Sequence, residues 1–267
     1  MTRNILHTIL SITVVLFILI PGSSVEVSAG EKITLRIMAA ASLTEIFDCL
    51  KEEFEEDNKD VELEINYAGS QALYNQLVAG VEAAIFASAN IKYMNKLQEE
   101  GLIAESDIFA HNKLLVAVKK ARTDINSLLD LLRDNVTLAI ADQVVPVGSY
   151  TYEMLRKVSQ SKDYPEDFQS RFLKNVVCFE LNVKDVVARV VMGEVDAGIC
   201  YQTDINRNNR NEVKVIDIDD SLNITASYPI GILNYLDETK QQAAKRFLDF
   251  LKSKKGKELL ELYGFET

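Results

Sequence analysis

The sequence predicts an α/β fold. Short apolar or β-branched runs alternate with longer amphipathic ones over most of its length, as strands and helices do in such folds. Several of the amphipathic runs also open on small or polar residues directly after a strand-like run, which is how a strand feeds a helix N-terminus.

Residues 33–39 read as the first strand. Ile46, Leu50 and Phe54 then recur every four residues, as on the buried face of a helix, while Glu52, Glu53, Glu55 and Glu56 take the solvent side. Val61, Leu63, Ile65 and Tyr67 alternate as a second strand. A helix follows over 71–78, a strand over 84–88, a helix over 93–100 and a buried strand over 114–118. Further strands are expected over 137–141 and 197–201, with helices over 151–157 and 184–192. The C-terminal stretch 238–263 is helical with a break at 253–256, and there is no internal repeat.

Arg3 followed by the apolar run from Ile9 to Ile20 predicts a secretory signal peptide over 1–29, with Val27-Ser28-Ala29 supplying the small residues for cleavage. Pro21-Gly22 ends the run well short of a spanning helix. No cysteine follows the run, so lipid attachment there is not expected, and the protein is predicted to be exported, periplasmic or otherwise extracytoplasmic. The mature chain keeps 28 basic and 39 acidic residues, a net −11. That balance disfavours nucleic acid and anionic membrane surfaces as partners, so an anionic ligand would have to be held by local dipoles.

Such dipoles are available at four helix starts. In Ala39-Ala40-Ala41-Ser42-Leu43-Thr44-Glu45 the small residues permit close backbone approach, and Ser42 with Glu45 has the spacing of a capping box. A serine that only caps its helix would explain this turn taken alone. Ala68-Gly69-Ser70-Gln71, Pro146-Val147-Gly148-Ser149 and Asn182-Val183-Lys184-Asp185 are three more, the last with Asn182 placed as N-cap. Four such ends around one cleft would offer unpaired N–H groups to an anion.

Enzyme chemistry finds little support. Beyond His7 the only histidine is His111, which excludes sites that need several imidazoles. There is no Gly-x-Ser-x-Gly elbow and no phosphate loop. Ser159-Gln160-Ser161-Lys162 matches Ser-x-x-Lys but lacks that motif's partners and reads as a loop. Cys49, Cys178 and Cys200 have no metal-ligand spacing and read as buried thiols, with a Cys178–Cys200 bridge left open.

One resemblance goes further. The ordered set Ala39-Ala40-Ala41-Ser42-Leu43, Tyr67-Ala68-Gly69-Ser70, Phe86-Ala87-Ser88-Ala89, Asn112-Lys113-Leu114, Pro146-Val147-Gly148-Ser149-Tyr150, Asp196-Ala197-Gly198-Ile199-Cys200-Tyr201, Tyr228-Pro229-Ile230 and Tyr263-Gly264-Phe265 resembles the bacterial periplasmic molybdate-binding proteins. The resemblance implies a two-lobed type II periplasmic binding protein fold with the ligand cleft between the lobes. The first lobe would be 30–112 plus 229–267 and the second 113–228. It implies a monomeric receptor for molybdate or tungstate that serves the permease and ATPase of an ABC importer, without enzyme activity, cofactor or bound cation. Carried over by motif, the ligand-binding residues would be Ser42 and Ser70 from one lobe, and the Val147 and Val183 amides with the Tyr201 hydroxyl from the other. The residues alone would make Tyr201 a packing aromatic at a strand end. The sequence departs from the family at Ala83-Ala84, where an Ala-Asp pair is usual, and at Asn90, where Asp is frequent; the loop before Pro146 is also one residue shorter. Receptors for sulfate, phosphate or another small solute, and a hydrolase or transferase on the same fold, are the alternatives.

Overall fold

The first apolar run forms strand β1 (Ile33–Ala40), whose inner residues Leu35, Ile37 and Ala39 are fully buried in the computed structural model, which describes residues 32–267. The expected signal peptide and its cleavage site lie outside the described residues. β1 pairs in parallel with β2 (Val61–Ala68) and with β3 (Ile85–Ala87). Helices α1 (Thr44–Asp57), α2 (Ser70–Val78) and α3 (Ile91–Glu99) make the connections. As the four-residue spacing predicts, α1 turns Ile46, Leu50 and Phe54 inward.

Strand β4 (Ile103–Lys119) joins two sheets. Its first part, from Ile103 to Lys113, runs antiparallel to β9 (Thr225–Leu233); from Leu114 onward it pairs with β7 (Ala197–Tyr201) and β8 (Val213–Asp217). The second sheet is completed by β5 (Leu138–Ala141), parallel to both β6 (Val176–Glu180) and β7. Among the described residues the order is β2-β1-β3-β9-β4-β7-β5-β6, with β8 also on β4. Helices α4 (Pro146–Gln160), α5 (Phe168–Lys174) and α6 (Val183–Met192) cover the second sheet, while α7 (Glu238–Lys252) and α8 (Lys254–Leu262) return to the first. Phe247 of α7 meets Phe47 and Phe54 of α1 edge-on, at ring distances of 6.1 and 5.3 Å, tying the C-terminus to the first lobe.

The crossing between the lobes is sealed by one side chain. The Asn223 carboxamide accepts from Leu114 N at 3.1 Å and donates to Leu114 O at 2.9 Å, replacing the backbone partner that β9 stops providing there. His111 is structural, as its sequence context suggests: its Nδ1 lies 3.1 Å from Ser227 Oγ and its backbone bridges to Glu266.

Several elements differ from the sequence reading. β4 begins 11 residues before the expected strand, because irregular register between Ile103 and Ser106 and between Ile108 and Ala110 breaks the alternation that marks a strand. β9 is not expected at all, since Pro229 and Gly231 argue against a central strand. Pro229 is accommodated at the second irregularity, opposite Ile108. β6, β8 and α5 are further additions. The Ser42–Glu45 capping box is absent: a 3₁₀ turn over Ala41–Leu43 intervenes, α1 begins at Thr44, and its N-cap is Leu43 with no side-chain cap. Ser159 and Gln160 end α4 rather than sitting in a loop. The break near 253–256 narrows to Ser253, which caps α8 by accepting from Gly256 N. All three cysteines are free; Cys178 on β6 and Cys200 on β7 are separated by β5, about 10 Å at ordinary strand spacing, beyond the reach of a bridge.

Candidate functional site

Six strands end at one place. β1, β2 and β3 of the first lobe and β5, β6 and β7 of the second direct their carboxyl ends toward a shared cleft, the position where open α/β sheets bind ligands. The residues that follow these strands line a small cavity: Ala40, Ala41, Ser42, Gly69, Ser70 and Ala89 from one side, and Val145, Pro146, Val147, Asn182, Val183 and Tyr201 from the other. All five residues expected to bind ligand are therefore brought together. The free space is about 10 Å³, about that of one water molecule.

None of the lining side chains carries a formal charge. What they offer is donors. Val183 is the first residue of α6, with Asn182 in extended geometry as N-cap, its side chain accepting from Asp185 N at 3.0 Å. Val147 is the second residue of α4, after Pro146. Amides in these positions have no partner within their own helix. Ser70 opens α2 in the same way, after Gly69.

Each of the two serine hydroxyls has one hydrogen-bond partner in the protein. Ser42 Oγ accepts from Tyr228 OH at 3.0 Å, and Ser70 Oγ accepts from Ala89 N at 3.1 Å. Each oxygen thus uses acceptor capacity on a protein group, which leaves its own proton available to the cavity. Tyr201 OH is buried without a hydrogen-bond partner, a costly arrangement for an isolated polar group. Burial raises its pKa well above the ordinary phenol value, as it does for Tyr228, so both hydroxyls stay protonated. The Tyr201 and Tyr228 rings pack edge-to-face, 5.9 Å apart at 65°.

Two glycines let the walls approach. A Cβ on Gly148 would lie 2.0 Å from Asp142 O and 2.6 Å from Ala141 O, so only glycine allows the first turn of α4 to sit against the end of β5. A Cβ on Gly69 would lie 2.4 Å from Leu181 O of the opposite lobe. Asn90 serves as the N-cap of α3 and accepts from Tyr93 N, so a carboxylate is not needed there. Ala84 N bonds Arg36 O and Ala83 N bonds Tyr235 OH, securing the turn that lacks the usual aspartate.

Sequence reasoning missed the groups at the rim of the cleft. Glu45 is no capping residue; its carboxylate reaches across to Lys184 Nζ at 2.7 Å and to Asn206 Nδ2 at 3.2 Å. Lys184 Nζ also lies 3.2 Å from Asp204 Oδ1, an ion pair off the line of a hydrogen bond. Burial raises the pKa of the fully enclosed Asp204 carboxyl against the pull of Lys184. Burial works to lower the pKa of Lys184, but Asp204 and Glu45 outweigh it and the net shift is upward. Gln71 Nε2 donates to Leu181 O at 2.7 Å, and Tyr93 OH to Val144 O, again from lobe to lobe. The only sequence signal for these contacts was the placing of Glu45 and Lys184 in helix-start turns.

A cavity closed by two α/β lobes and lined by uncharged donors defines a small-solute receptor, and comparison with known proteins agrees. The chain belongs to the bacterial extracellular solute-binding proteins, whose family model matches residues 35–266; it is a binding protein and not an enzyme. It is 30% identical over 232 residues to the molybdate-binding protein ModA of Mycobacterium tuberculosis, covering 86% of this chain and 83% of that one. Its fold is similar to the periplasmic molybdate-binding protein of Azotobacter vinelandii, with a TM-score of 0.75 at 17% identity over 87% of this chain and 99% of that one. It is equally similar to the sulfate-binding protein SubI of M. tuberculosis, with a TM-score of 0.75 at 15% identity over 87% and 86%. These two likenesses establish the two-lobed fold.

Proposed function

We propose that this protein is an extracytoplasmic receptor that captures molybdate or tungstate and delivers it to the permease and ATPase of an ABC importer. The observation that carries the reading is the uncharged, donor-bearing lining of the cavity, which includes the unpartnered Tyr201 hydroxyl. A tetrahedral dianion with no proton at neutral pH needs donors alone. Protonated phosphate brings an O–H that this lining can meet only with a hydroxyl lone pair, no carboxylate being among the lining residues. Sulfate makes the same demand on donors as molybdate and is discriminated by size. The relatives support molybdate by name, whereas the sulfate-binding neighbour shares only the fold.

Ser42 and Ser70, the Val147 and Val183 amides and the Tyr201 hydroxyl are the proposed ligands. Closure is proposed to turn on the paired crossings at Asn112–Lys113 and Thr225–Tyr228, with lobes of 30–112 plus 229–267 and 113–228. Because the ligands come from both lobes, a bound anion would favour the closed form. Export, monomeric state and lack of any cofactor belong to the same reading; persistent membrane association, or a dimer on gel filtration, of the chain from Gly30 would count against it. Calorimetry with molybdate, tungstate, sulfate and phosphate is the direct test. Tight binding of the first two with sulfate and phosphate weaker is expected, and a preference for sulfate or phosphate would refute the assignment.

A further inference from the structure

We propose that Glu45 is a positioning residue that latches the closed cleft, reaching from the first lobe to Lys184 and Asn206 of the second and so slowing release of the bound anion. The proposal rests on the closure described above and adds to it the groups that hold the lobes together.

The geometry separates two roles within one cluster. Lys184 has a partner in its own lobe, Asp204, whose side chain is fully enclosed, so its charge is balanced whether or not the lobes meet. Asp204 in turn accepts from Tyr201 N at 3.0 Å, anchoring the cluster to the strand end that carries a cavity residue. Glu45 is the member contributed by the other lobe. Both of its oxygens are engaged by second-lobe groups, Oε2 by Lys184 and Oε1 by Asn206, and neither contact can form until the cleft shuts.

Lys184 directly follows Val183 on the first turn of α6. The pull of Glu45 therefore acts on the same turn that presents the Val183 amide, while Glu45 itself lies outside the cavity lining. Two other bonds across the cleft, Gln71 to Leu181 O and Tyr93 to Val144 O, join neutral side chains to backbone, whereas the Glu45 carboxylate makes charge-assisted contacts with both Lys184 and Asn206; the Lys113–Glu266 ion pair, at 3.6 Å, lies at the strand crossing instead. The Lys184 and Glu45 side chains are 26% and 29% exposed, so water and salt screen the pair in part. A contact made only after encounter acts on dissociation more than on association.

Stopped-flow binding of molybdate to the full chain tests this. Glu45→Gln is expected to speed release about three- to tenfold with the association rate little changed. Glu45→Asp keeps a carboxylate at the start of α1 but loses reach, and is expected to release faster too, which separates the latch from any helix-dipole effect on stability. A zero-length carbodiimide should join Glu45 to Lys184, read by mass spectrometry, and the product should increase with anion. If the wild type bound none of the four oxyanions, the proposed function would fail, and the latch would be judged on the cross-link in free protein. Release rates equal to wild type in both variants, or no Glu45–Lys184 cross-link with or without anion, would overturn it.

Discussion

A backbone donor cannot be deleted by ordinary side-chain substitution, but Val183→Pro comes close. Val183 is the first residue of α6, and Asn182 before it has φ −156° and ψ 168°, extended geometry that a following proline favours. Proline is tolerated at this position because the amide it lacks is unused within the helix. The protein already does this once, with Pro146 opening α4 across the same lobe. The substitution should therefore fold, with a loss of about 1 kcal/mol or less from repacking a buried side chain of similar size, visible as a small drop in Tm of the free protein. An anion oxygen deprived of one buried, charge-assisted partner should bind about 1–3 kcal/mol more weakly, roughly fivefold to 150-fold. Calorimetry of molybdate binding beside thermal melts of the free proteins measures both. Wild-type affinity in a folded Val183→Pro protein would refute the placing of this amide in the cage. An unfolded product would refute the position assigned to Val183 in the helix.

Tyr201→Phe removes a hydroxyl that has no hydrogen-bond partner within the chain, so it should leave the melting temperature of the free protein little changed while weakening molybdate by about 1–3 kcal/mol; lowered stability with unchanged affinity would make Tyr201 a packing residue. Ser42→Ala and Ser70→Ala should each weaken binding by a similar amount of about 1–3 kcal/mol, and each should also lower Tm, because Tyr228 OH and Ala89 N lose their acceptors. Unchanged affinity in both would remove the serines from the site. Affinity should vary little between pH 6 and 8, since no proposed ligand ionises there; a steep fall measured by calorimetry across that range would implicate a titrating group. In the second lobe the Arg122 guanidinium holds the Asp124 carboxyl down at about 2. A lowered carboxylate pKa contributes stability above its unfolded value, lost as pH falls toward the folded one, so Asp124→Asn should flatten the stability loss seen by melts between about pH 4 and 2.

The parts of the fold and site legible in the sequence are those governed by local rules. The spacing of Ile46, Leu50 and Phe54 reports a single helix face, and Asn182 followed by Asp185 reports a helix start, since cap and first turn are decided within four residues. β9 was hidden because Pro229 is tolerated only where β4 is itself irregular, which neither segment reveals alone. Ser42 shows the limit from the other side. Its spacing to Glu45 satisfies a capping box, yet a three-residue 3₁₀ turn removes it from the helix, and Tyr228, 186 residues away, orients its hydroxyl. The Glu45–Lys184 contact is similarly a product of tertiary packing, 139 residues apart in the chain.

The crossing between the sheets has a consequence for how this architecture can be altered. Lys113 and Thr225 are direct register partners on adjacent antiparallel strands, so the chain enters and leaves the second sheet about 5 Å apart. Everything between them is topologically a single insertion at one point of the first lobe's sheet. An exchange of that segment for its counterpart from a relative would need only two junctions, side by side, with the Asn223 carboxamide kept to close the seam. Three of the five proposed ligands, Val147, Val183 and Tyr201, would travel with the graft while Ser42 and Ser70 stayed behind, so a chimera between oxyanion receptors could apportion specificity between the two lobes.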